Sequence, residues 1–168
     1  MAHVRTSNKD SRVLEQCARG RRLRNVVTKD LIVGQDRSNN TAPNRIMADV
    51  IAAETEKFGF FVAPCACKVT RIWVNGTPFI DNDVAETSTI TLAKANIGAS
   101  DTDLCSAITV GSATAPTSDT AIDATLSTTA GVLNLLEGQH VYGTIVVDTP
   151  VETAVAYLTV CMEWIPLD

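Results

Sequence analysis

Cys65 and Cys67 form a Cys-x-Cys pair, a spacing that could offer two thiolates to one metal ion. A closed tetrahedral site takes two further ligands. No second cysteine pair follows, and the two histidines, His3 and His140, stand far apart. Cys17, Cys105 and Cys161 complete an odd set of five in a chain whose N-terminus lacks an apolar leader. This pattern predicts buried thiols acting as small hydrophobes, with neither a metal nor a disulfide framework. Asp81, Asp83 and Glu86 could present carboxylate oxygens to calcium, but the glycine and closing glutamate of an EF-hand loop are missing. They read as solvated loop acids, as do Asp101 and Asp103. No serine sits in G-x-S-x-G, and neither a Walker loop nor G-x-G-x-x-G occurs. The expectation is a protein that is not an enzyme and holds no cofactor.

The basic residues carry the clearer chemistry. Residues 1–45 hold ten Lys/Arg against four acids, a net of +6. The other 123 residues hold four Lys/Arg against fifteen acids, a net of −11. A basic arm thus precedes an acidic body, and such an arm suits a negative partner surface. RGRRLR at 19–24 resembles a nucleic-acid patch. The arm lacks an aromatic side chain to stack on bases, however, and it carries Val26, Val27, Leu31, Ile32 and Val33. Basic and apolar residues in alternation fit docking along an acidic, partly apolar protein surface better than binding to nucleic acid. The expected docking residues are Arg12, Val13, Leu14, Cys17, Arg19, Arg21, Arg22, Leu23, Arg24, Val26, Val27, Leu31 and Ile32.

These residues need elements to position them. Ser11 can cap and Gly20 can close one short helix over 11–20, with Val13, Leu14 and Cys17 on one face. Residues 21–37 read as extended, and 34–44 as a Gly/Ser/Asn/Pro linker. The boundaries that follow are an arm over 1–45 and a body over 46–168. In the body, eight runs have strand texture: 58–62, 67–74, 87–95, 104–110, 121–126, 132–136, 140–147 and 154–165. The last is the clearest, with Ala156, Leu158, Val160, Met162 and Trp164 alternating against Tyr157, Thr159, Cys161 and Glu163. Trp73 and Trp164 both sit in alternating runs and are expected in the core. Asn75-Gly76 is expected to turn the chain after 67–74. No run of eighteen apolar residues exists, so no membrane helix is expected. The fold class that fits is an all-β jelly-roll sandwich of about eight strands behind the arm, with an immunoglobulin-like sandwich as the second choice.

Four segments carry a family resemblance: FGFFVAPCACKVTRIWV (58–74), TSTITLAKA (87–95), LLEGQHVYGTIVV (135–147) and VAYLTVCMEWI (155–165). An aromatic strand ends in a proline, a second strand follows, a glycine bend opens a long strand, and an alternating strand closes the chain. In this texture the body resembles the small jelly-roll capsid decoration proteins, or cement proteins, of tailed bacteriophages. The bend here is Gly138-Gln139-His140, where an Asp after the glycine is the more familiar form. The resemblance implies a homotrimer on the outer surface of an icosahedral shell; the missing apolar leader leads us to expect synthesis in the host cytoplasm. The resemblance also implies the major capsid protein as partner, with no enzymatic activity. Two other readings compete: a small coat protein with its arm on the genome, and a receptor- or carbohydrate-binding sandwich. Exposed aromatics in a cleft would favour the last.

Overall fold

Apolar side chains at every second position make strands whose one face must be covered. The computed structural model describes residues 24–33, 46–48, 55–77, 87–96, 98–111, 120–147 and 156–167. In chain order the strands are β1 (Asn25–Val33), β2 (Ile46–Ala48), β3 (Thr55–Val62), β4 (Cys67–Thr77), β5 (Thr87–Lys94), β6 (Thr102–Asp103), β7 (Ile108–Gly111), β8 (Ile122–Asp123), β9 (Asn134–Leu135), β10 (His140–Val147) and β11 (Ala156–Pro166). They form two sheets. The first runs β2-β1-β11-β4-β8, with β9 also on β4; the second runs β3-β10-β5-β6, with β7 also on β5. Every pair is antiparallel except the short β1–β2 pair. Among the described residues there is no helix, and so none long and apolar enough to cross a membrane. The helix expected over 11–20 lies outside the described residues.

One core joins the two sheets. From the first sheet come Leu31, Val69, Ile72, Val74, Leu158, Val160, Met162 and Trp164; from the second come Phe58, Phe60, Ile90, Leu92, Val141 and Ile145. In β11 the expected alternation holds: Leu158, Val160, Met162 and Trp164 are buried in the core, while Thr159 and Glu163 stay partly open on the other face. Cys161 is also buried, although it faces outward.

Two bulges adjust this alternation. In β4, Arg71 pairs with Glu163 and Val69 with Trp164, which leaves Thr70 as an extra residue. Thr70 and Arg71 can then both face out while Val69 and Ile72 stay buried. In β3, Phe61 pairs with Val141 and Gly59 with Tyr142, so Phe60 is extra. Phe60 is buried, and the Phe61 ring still reaches Trp164 of the opposite sheet at 5.5 Å between centroids.

The structure departs from the sequence expectations in several places. Residues 25–33, read as part of the arm, are β1 and pair along their whole length with β11. Without β1, the closing strand would present an unpaired edge. Asn75-Gly76 is not a turn: β4 runs through it, and both residues pair with β11. Trp164 is in the core, but Trp73 is half-buried on the outer face, because the bulge at Thr70 sets the phase of β4. The run 104–110 keeps only 108–110 as strand, in β7, with β6 lying just before it, and 121–126 and 132–136 each keep only two strand residues. Cys65 is disulfide-bonded, against the expectation of thiols throughout.

Candidate docking surface

Of the expected docking residues, Arg12, Val13, Leu14, Cys17, Arg19, Arg21, Arg22 and Leu23 lie outside the described residues. Arg24 is exposed just before β1, with its guanidinium 3.7 Å from a Glu163 carboxylate oxygen. Val26 points to solvent, Val27 packs against the core, and Leu31 is fully within it. Ile32 pairs through its backbone with Tyr157. Alternation along β1 thus divides these residues: Leu31 and Val27 hold the strand to its own body, while Arg24 and Val26 face out.

The outer face of the first sheet continues from Arg24 as a polar network. The Arg71 guanidinium donates to both carboxylate oxygens of Asp123, through Nε at 2.6 Å and Nη2 at 3.0 Å. It also lies 4.6 Å over the Trp73 ring. The hydrogen bond to Asp123 holds the Arg71 pKa above its ordinary value. Thr70 Oγ1 donates to Glu163 at 2.6 Å, and Thr159 Oγ1 to Asp30 at 2.8 Å. Burial pushes the Cys161 thiol up to about 11 and the Cys67 thiol up to about 12. Neither is a nucleophile near neutral pH, because the thiolate is the reactive form.

A second surface forms at the end of the sandwich where β3, β5 and β11 finish and β4 and β10 begin. The turn 136–139 is held from several directions. The Gly138 amide donates to Ala63 O at 2.8 Å, and the Ala63 amide to Gln139 O at 2.9 Å. The Gln139 side chain accepts from the Leu136 amide and donates to Ala95 O, both at 3.0 Å. Gly138 takes φ +77°, a left-handed conformation that favours glycine. This pinned turn leaves Leu136 72% exposed at the rim of a groove of about 720 Å³, which His140 and Tyr142 also line. The His140 and Tyr142 rings are 6.1 Å apart and nearly parallel. Beside it, Lys94 donates to the carbonyls of Gly131 and Asn134, which fixes the loop before β9. Burial lowers the Lys94 pKa. Among the described residues no cluster of His, Cys, Asp and Glu could hold a metal ion.

The sequence reading missed this end. Its one available signal was Leu135-Leu136: in an alternating strand only one of two adjacent leucines can enter the core. Leu135 does so, and Leu136 is left outside.

No family model matches the chain, and no curated protein matches it. Among solved structures, a chain of the "Cyanophage Pam1 capsid asymmetric unit" is similar, with a TM-score of 0.50 and 12% identity over 86% of this chain and 85% of that one. The likeness is one of fold. It spans nearly all of both chains, which are therefore of closely similar length.

Proposed function

We propose that the protein is a structural component of a virus particle, a decoration or cement protein that adds to the outside of an icosahedral phage head. The observation that carries this reading is the fold shared, over 86% of this chain, with a chain of a cyanophage capsid asymmetric unit. The strand order supports the jelly-roll description. The first long strand, β1, lies beside the last, β11, and the long strands divide between the sheets, β1, β4 and β11 in one and β3, β5 and β10 in the other. The major capsid protein is the proposed partner, and the basic arm is the part that follows its surface. The arm's lack of aromatics favours a protein partner over nucleic acid. The protein acts by binding rather than catalysis, as a homotrimer made in the host cytoplasm and carried on the capsid surface.

The test is addition of purified protein to preformed empty shells of the same virus, followed by sedimentation. Co-sedimentation that saturates, together with shells that resist heat or low salt better, is the expected result. Protein that stays in the supernatant would overturn the reading. Attachment of a chain lacking residues 1–23, which keeps β1, with loss of packaged nucleic acid would replace it with the coat-protein reading.

A further inference from the structure

Four large hydrophobic residues are well exposed among the described residues: Val26 at 54%, Val62 at 50%, Leu136 at 72% and Leu167 at 38%. Scattered single residues of this kind need no explanation. These four gather at one end of the sandwich. Leu135 and Pro166 flank Cys67 on its two sides, and Leu136 and Leu167 lie one residue further out; the Leu167 amide donates to Ala66 O at 2.9 Å. Val62 pairs with His140, two residues beyond Gly138. Val26 pairs with Glu163, three residues before the end of β11. No large hydrophobic residue is exposed elsewhere among the described residues.

Among the described residues this end carries both signs of charge, with Glu137 exposed in the turn beside Leu136 and Glu163 paired with Arg24. Lys68 pairs with Asn134, beside the turn that presents Leu136, and is exposed. Arg24 stands at the same end, where β1 begins. The chain that precedes β1 therefore leaves from here, and residues 1–24 hold seven Lys/Arg against two acids. An acidic, partly apolar partner surface would meet these basic residues favourably.

We propose that this end of the sandwich, carrying Val26, Val62, Leu136 and Leu167, is the seat of the body on an acidic, partly apolar protein surface of the shell, the same surface that the arm follows. The proposal rests on the capsid-decoration reading and adds to it which face of the body is turned towards the shell. Attachment then has two parts, a rigid apolar base and a basic arm. The base needs little ordering on binding, because Gln139, Gly138 and Lys94 already fix its loops.

The test compares full-length wild-type protein with the double variant Val62→Asp/Leu136→Asp on preformed shells. The control is Thr125→Asp, at an exposed position on a different part of the surface. The double variant should keep the wild-type circular dichroism spectrum and oligomeric state. Its apparent Kd for shells should rise tenfold or more, while the control stays within twofold. A photo-crosslinker at position 136 in assembled particles should capture the major capsid protein, a readout that does not depend on the double variant folding. Wild-type protein that fails to attach overturns the functional reading and this proposal together. Wild-type and double variant attaching equally, or crosslinks from position 136 only to copies of this chain, overturns this proposal alone.

Discussion

Phe58 and Gly143 face each other across β3 and β10, and a side chain on Gly143 would run into the Phe58 ring. Phe58 is buried, so its ring has little room to give. Gly143→Ala should therefore destabilise the fold by about 1–3 kcal/mol, the usual range for overpacking. Adding Phe58→Leu should return part of the loss, and urea denaturation of the single and double variants measures both. Ser88 is the opposite case: its hydroxyl is fully buried and has no hydrogen-bond partner among the described residues. Ser88→Ala removes an unsatisfied polar group, and should be neutral or stabilising by up to about 1 kcal/mol. The thiols set a pH limit. Cys67 and Cys161 have their pKa values raised from 9.0 to about 12 and about 11 by burial. Between pH 9 and these values the unfolded chain loses protons that the folded chain keeps, so stability falls as pH rises. Denaturation midpoints should hold level up to about pH 9 and decline from there to about pH 11, and Cys67→Ser/Cys161→Ser should flatten the decline.

At the scale of elements, β10 and β11 were legible because each alternates strictly over many residues, and the structure places them at His140–Val147 and Ala156–Pro166. β1 was hidden by its setting. Basic residues precede it, and its partner β11 lies more than a hundred residues away, so no local pattern announces the pairing. The bulge at Thr70 was equally invisible. It shifts the phase of β4 and turns Trp73 outward, where alternation alone had placed it inside. Strands β6, β8 and β9, of two residues each, are too short to show a period. Of the residues named from composition, Arg24 and Val26 face outward in the structure. The exposed end at Val62 and Leu136 was not legible, since it depends on which strand termini meet. The role of β1 can be measured by truncation. A chain starting at Arg24 should unfold cooperatively, whereas one starting at Ile46 exposes the β11 edge and loses Leu31 from the core. The shorter chain should aggregate or lose several kcal/mol, as deletion of a buried strand implies.

Across the whole molecule, charge and shape point the same way. The body carries a net of −11 and the first 45 residues +6, so the chain is a dipole of formal charge. Attachment through the arm should weaken as salt rises from 50 to 500 mM, because exposed charges are screened over about a Debye length. Replacing Arg19, Arg21, Arg22 and Arg24 by Ser should lower affinity at low salt and flatten the salt dependence; shell co-sedimentation reads both. The apolar base at Leu136 should contribute a part that salt leaves unchanged.

The nine-residue register of β1 on β11 bears on force. On the proposed capsid role, a shell strained from within by its packed genome would put a clamp across its joints under tension. Because β1 is paired from Asn25 to Val33 and the arm continues from its first residue, a pull directed along the strand loads the whole ladder in shear. A pull directed sideways would instead open the ladder one pair at a time. The fold is thus built like a strap sewn in along its length, strongest when the arm lies in line with β1.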